Sequence, residues 1–264
     1  MSFIPTVKDP RVREGELMWP LRVPEPVLAE IERKLGSSGV AGQLQQRPSP
    51  RGGGIVKRVW FERSYVSRLN WPRRFDFLGI SVDASFKDTE TSSYVVIQAW
   101  GCVEAGRYLL GQRRDRMTFT ETLHALADGA GNGVAERFPD YNVLLIEDKA
   151  NGSAIIDTLS GKLRGVVPYE PRGSKMARAE AVAPQIEAGD VHLLHPDEDP
   201  QTEAFVAEWC AVPSGAFWDQ VDATSQFLDY AAHLGTAKVS QAGFLVGERL
   251  TVATNYLDGL GGQG

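Results

Sequence analysis

Phe77-Leu78-Gly79-Ile80-Ser81-Val82 is a largely apolar stretch that ends in Asp83. A run of this length reads as a buried strand. A buried strand tolerates a charge only at its end, where a compensating group or ion can meet it. The same arrangement recurs at Val143 to Ile146, which runs into Glu147 and Asp148. Two apolar strands that both close on acids point to a sheet whose strand ends gather functional groups.

The pattern around these strands fixes the layout. Tyr94 to Val103, with Val95, Val96 and Ile97, reads as a second strand, and Arg107 to Gly111 as a third. Short polar links between them suggest an antiparallel meander. Thr118-Phe119-Thr120-Glu121 is a capping box opening a helix expected to run toward Arg137, weakened by Gly129, Gly131 and Gly133. After the strand at Val143 come a helix from Asn151 to about Leu163 and a strand from Gly165 to Tyr169. Ser174 to Ala188 reads as a helix kinked at Pro184 and stopped by Gly189. A short strand, Val191 to Leu194, and helices over Thr202 to Ala211 and Asp219 to His233 complete the order. A mixed α/β sheet with helices on both faces follows. The order is ribonuclease H-like.

Residues 1–74 look different. They are rich in Pro and Arg, with a helix expected over Pro26 to Leu35, stopped by Gly36, and a second over Val40 to Gln46. Arg47 to Gly54 is a linker by composition. Trp60, Phe61, Tyr65 and Trp71 would pin this arm to the main domain. Three regions are therefore expected: an N-terminal arm over 1–74, a main domain over 75–240 and a glycine-ended tail over 241–264, disordered from Gly259.

Composition excludes several classes. Cys102 and Cys210 make neither a disulfide framework nor a zinc pattern. No apolar stretch is long enough to span a membrane. The net charge of −6 is wrong for a protein that holds DNA tightly unaided, so DNA binding would rest on local basic patches or a partner. No G-x-x-x-x-G-K-[ST] occurs. The glycines at 52–54 are followed by Ile55, Val56 and Lys57 without Ser or Thr, so ATP hydrolysis by this chain is not expected.

The acids carry the candidate chemistry. Asp83 ends the first main-domain strand, Glu147 and Asp148 the fourth, and Asp219 and Asp222 open the last long helix one turn apart. The first and fourth strands would be neighbours, so Asp83 and Glu147 can converge. Clustered carboxylates repel, and some must take up protons unless a cation intervenes. Mg²⁺ or Mn²⁺ suits an all-oxygen set, and two ions about 4 Å apart support phosphodiester hydrolysis. With no His or Cys in the clusters, zinc is disfavoured. Each acid also has a plainer reading: Asp219 can simply cap its helix. Strand alternation lets only one of Glu147 and Asp148 face the site. His124, His192, His195 and His233 are scattered and receive no role.

Several segments together carry a resemblance. They are Trp19-Pro20 with the helix Val27 to Leu35, Gly42-Gln43-Leu44-Gln45-Gln46-Arg47-Pro48 with the glycines after it, and Gly79-Ile80-Ser81-Val82-Asp83. Further along come Ile146-Glu147-Asp148-Lys149-Ala150-Asn151-Gly152, Pro171-Arg172-Gly173-Ser174-Lys175 and Asp219-Gln220-Val221-Asp222-Ala223. From Trp19 to Tyr230 the chain resembles the C-terminal portion of the large terminase subunit of tailed bacteriophages. The resemblance implies a ribonuclease H-like endonuclease that cuts concatemeric double-stranded DNA with two Mg²⁺ or Mn²⁺ ions. It implies Asp83, Glu147 and Asp219 as catalytic metal ligands, with Asp222 a fourth. The family often has two adjacent aspartates before Gln-Val-Asp, and here the first is Trp218. Implied partners are the packaging ATPase domain, the small terminase subunit and the portal protein. The implied place of action is the cytoplasm of the infected bacterium, outside the mature virion. A self-sufficient junction resolvase and an inactive docking domain are the competing readings.

Basic residues that could meet DNA phosphates fall in clusters. Arg113, Arg114 and Arg116 follow the third strand as a hairpin tip. Arg172, Lys175 and Arg178 surround a helix start, where backbone donors also favour anions. Arg47, Arg51, Lys57 and Arg58 flank the glycine run and read as linker.

Overall fold

The computed structural model describes residues 17, 20–40, 44, 54–84, 94–148, 151–240 and 250–251. The elements are α1 (Glu25–Gly39), α2 (Arg58–Glu62), β1 (Tyr65–Val66), β2 (Arg74–Phe75), β3 (Phe77–Ala84), β4 (Val95–Val103) and β5 (Gly106–Asp115). They continue with α3 (Phe119–Leu126), α4 (Val134–Arg137), β6 (Val143–Glu147), α5 (Asn151–Leu159), β7 (Val166–Tyr169) and α6 (Lys175–Ala188). Last come β8 (Val191–Leu194), α7 (Gln201–Ala211), α8 (Asp219–Ser240) and β9 (Leu250–Thr251).

Seven strands form one mixed sheet in the order β1-β8-β5-β4-β3-β6-β7. The meander β3-β4-β5 is antiparallel. β6 and β7 add in parallel on one side, β8 and β1 on the other. Alternation along β3 sorts its side chains. Leu78, Ile80 and Val82 pack with Leu126, Ile155 and Leu159, beneath α3, α4 and α5. On the other face Val143 and Leu145 pack with Val182, Phe205, Trp209 and Phe227, beneath α6, α7 and α8. This is the mixed ribonuclease H-like sheet, with helices on both faces, that the element order predicts.

The long helix α8 lies tight on β3. A Cβ at Gly79 would sit 2.5 Å from the Phe227 ring, so only glycine fits there. Ser81 Oγ donates to Ala223 O at 2.7 Å, and Gln226 Nε2 donates to Ser81 Oγ and to Leu145 O, each at 3.1 Å. These buried polar contacts fix where the first turn of α8 falls over the strand ends.

Four expectations shift. The helix expected from Thr118 to Arg137 is two helices. Gly129 and Gly131 take left-handed φ of 76° and 88° between them, and the Asp128 carboxylate accepts from Ala130 N and Asn132 N. β5 runs on to Asp115, so Arg113 and Arg114 lie inside a strand, not on a hairpin tip. α8 continues past His233 to Ser240. Within the expected arm, Phe61 packs into the core as an anchoring aromatic should, but Ile55 and Val56 of the expected linker flank are buried there too, and β1 pairs with β8. Most of the expected helix Val40 to Gln46, the 47–53 linker, and the tail apart from 250–251 fall outside the described residues. Among the described residues no helix is long and apolar enough to cross a membrane.

Candidate active site

β3 and β6 run parallel, and their last pairing is Val82 with Ile146. The next residues, Asp83 and Glu147, therefore lie side by side near the ends of adjacent strands. Both follow the parity of Ser81 and Leu145, so both face α8. The same row continues across the sheet, because Asp83 pairs with Val96 and Val96 with Arg114. Asp219 and Asp222 lie in the first turn of α8 and are buried, as is Asp83. Glu147 is half-buried. Asp148 takes no place in this group. Its carboxylate accepts from Ser153 Oγ at 2.6 Å and its backbone N–H donates to Tyr169 O.

Electrostatics tie the group together. Asp83 has its pKa raised well above the usual carboxylate value, first by burial and then by Asp222 and Glu147, while Lys175 opposes the shift. Asp219 is raised too, by burial and then by Glu208, with Lys175 and Arg114 opposing. Lys175 loses solvation, but its hydrogen bond to Asp222 and the charges of Asp222, Asp83 and Asp219 outweigh that loss and raise its pKa. Its ammonium rests on Asp222 Oδ2. Arg178 Nη2 meets Asp222 Oδ1 at 2.7 Å. Lys175 is thus a cation set among acids, as the mutual repulsion of carboxylates requires.

Of the basic residues singled out for DNA, two are turned inward. Arg178 is buried on Asp222. Arg114 pairs with Glu208 at 3.0 Å and stacks on Tyr94, its guanidinium carbon 4.0 Å from the ring centre. Alternation explains the split: within β5, Arg113 faces out and Arg114 faces α7 and α8. Arg113, Arg116, Arg172 and Lys175 are exposed.

Sequence reasoning missed Glu208. It is buried in α7 beside Phe205 and Trp209. An acid on the apolar face of a helix was the signal available for it.

The donor set fits a hard divalent cation. It is all carboxylate, its four acids outnumber the cations Lys175 and Arg178 set among them, and burial penalises the Asp83 anion. Among the described residues the acids do not close into a preformed cage of three or more metal-ligating groups. Asp222 in particular is drawn to its two cations.

A family model described as the terminase RNaseH-like domain matches residues 80–231. Among solved structures, the large terminase of a thermophilic bacteriophage is similar at 13% identity and a TM-score of 0.60, over 80% of this chain and 53% of that one. The same phage protein in complex with ATP-gamma-S matches at 12% identity and 0.58, over 79% and 53%. At this identity the likeness is one of fold. The chain spans about half the length of the solved terminase it matches. No curated protein matches it.

Proposed function

The chain belongs to the terminase RNaseH-like domain family, and on that premise we propose that it is a metal-dependent endonuclease cutting double-stranded DNA during viral DNA packaging. The observation that carries the proposal is the meeting of Asp83 and Glu147 at the ends of two adjacent parallel strands, under the helix turn that bears Asp219 and Asp222.

In this reading Asp83, Glu147 and Asp219 would hold two divalent ions. Mg²⁺ or Mn²⁺ bound there would supply activation of a water and neutralisation of charge on the phosphodiester. Burial favours the protonated form of Asp83, and a cation facing it would favour the carboxylate. Asp222 keeps α8 in place through Arg178 and carries Lys175 at the edge of the acids. Lys175, half-exposed beside Asp222, would turn its ammonium to a DNA phosphate. Arg113, Arg116 and Arg172 meet the backbone of the duplex. They read no bases, so cutting has little sequence preference.

DNA translocation falls to a packaging ATPase partner, with the small terminase subunit and the portal completing the assembly in the infected bacterium. The test is cleavage in Mn²⁺ of linear duplexes and of a four-way junction of matched sequence. Comparable cutting of both is expected. Strict dependence on the junction would reassign the chain to a resolvase.

A further inference from the structure

The first turn of a helix leaves backbone N–H groups without intrahelical partners, and a nearby Ser, Thr, Asp or Asn usually caps them. At α8 the preceding residues are Phe217 and Trp218, which offer no such oxygen. The cap comes instead from another helix. Glu208 Oε1 of α7 accepts from Gln220 N at 2.7 Å and from Val221 N at 3.4 Å. Its second oxygen accepts from Gln220 Nε2 at 2.8 Å and pairs with Arg114 Nη2 at 3.0 Å.

Each partner is itself held. Gln220 is fully buried, and its Oε1 accepts from Gln112 Nε2 at 2.9 Å. Gln98 Nε2 donates to Gln112 Oε1 at 3.3 Å. Arg114 lies over Tyr94 and within 5.4 Å of the Phe217 ring centre. The turn that carries Asp219 is therefore fixed by a chain of polar groups running from β4 and β5 through α7.

A buried carboxylate is an expensive way to cap a helix, since a small polar residue in place of Trp218 would do it locally. What the distant cap adds is position. It registers the α8 turn against β5, whose Arg114 shares a row with Asp83.

We propose that Glu208, braced by Arg114, is a positioning residue that sets Asp219 for metal binding. This rests on the two-ion reading above. Partners behind a ligating carboxylate commonly alter metal affinity by about 10- to 100-fold.

The test is Mn²⁺ binding by the DNA-free chain, followed by calorimetry and electron paramagnetic resonance. Glu208→Gln keeps the shape but places a donor against Gln220 Nε2 and Arg114. It is expected to keep a cooperative fold and to bind one ion about 10-fold or more weakly, with the other bound as in wild type. In an Asp219→Ala background, Glu208→Gln should have no further effect, because it acts only through Asp219. Arg114→Gln, which leaves the cap itself in place, covers the case in which Glu208→Gln does not fold. It is expected to weaken the same ion by a smaller factor. Folded Glu208→Gln or Arg114→Gln protein that binds Mn²⁺ as wild type does would overturn the inference alone. Wild-type chain that takes up no Mn²⁺ would overturn the metal reading and the inference with it.

Discussion

Arg178 Nη2 lies 2.7 Å from Asp222 Oδ1, with the two side chains only 9% and 4% exposed, so an internal ion pair ties α6 to the first turn of α8. Removing one partner of a buried pair leaves the other charge uncompensated. Asp222→Ala should therefore destabilise the chain by about 3–5 kcal/mol. Asp219→Ala should not, because burial of that carboxylate is already unfavourable. Urea midpoints of the two variants in EDTA check this. Equal midpoints would mean that Asp222 does not anchor the helix.

Asp83 predicts a dependence on pH. Its carboxyl keeps a proton to higher pH in the folded chain than in the unfolded one, where 3.8 is ordinary. Between those two values the folded state binds more protons, so metal-free stability falls as pH rises and stays low above the raised pKa. Asp83→Asn carries no such penalty. In EDTA near pH 8 it should be more stable than wild type by on the order of 1 kcal/mol or more, and the gap should close toward about pH 3–4. Chemical unfolding at stepped pH measures it. A variant less stable than wild type at pH 8 would contradict the electrostatic picture.

Glu147 and Asp148 separate by strand parity. Glu147 shares the face of Asp83, whereas Asp148 is held by Ser153. Glu147→Ala and Asp219→Ala should each lower plasmid cleavage by on the order of 100-fold or more. Asp148→Ala should keep most of its rate, with a loss of about 1 kcal/mol in stability from the missing hydrogen bond to Ser153. Rates at one Mn²⁺ concentration decide. An inactive Asp148→Ala beside an active Glu147→Ala would shift the site by one residue.

How much of this the sequence carries depends on the kind of contact. Strands closing on Asp83 and Glu147 were legible because apolar periodicity and a terminal acid are local signals. So were the capping box at Thr118 and the stop at Gly189, each written in a few adjacent residues. The fate of Arg114 was not, because it turns on where β5 ends and on a partner 94 positions away in α7. Arg178 looked like a surface cation beside a helix start, and only the packing of α6 on α8 buries it. The anchoring role of Phe61 was legible as an aromatic, whereas burial of Ile55 and Val56 was hidden by the Pro-, Gly- and Arg-rich composition around them.

Exposure divides the basic residues into those open to solvent and those packed inside. Arg113, Arg116 and Arg172 are exposed and should bind DNA phosphates. Neutralising each to Ala should weaken duplex binding across sequences and lower the slope of log affinity against log salt by about 1. Arg178→Ala should act on stability instead. Binding titrations in Ca²⁺ over a range of NaCl test both. A stable Arg178→Ala protein with a reduced salt slope would return Arg178 to the DNA surface.

The central claim is that these acids cut DNA through divalent metal. It is tested most directly by incubating supercoiled plasmid with the purified chain and with Asp83→Asn, each in Mn²⁺, Mg²⁺ and EDTA. Wild type should nick and linearise the plasmid with either ion and spare it in EDTA, and Asp83→Asn should be inactive throughout. Cleavage by wild type that persists undiminished in EDTA, or by Asp83→Asn at the wild-type rate, would contradict the account.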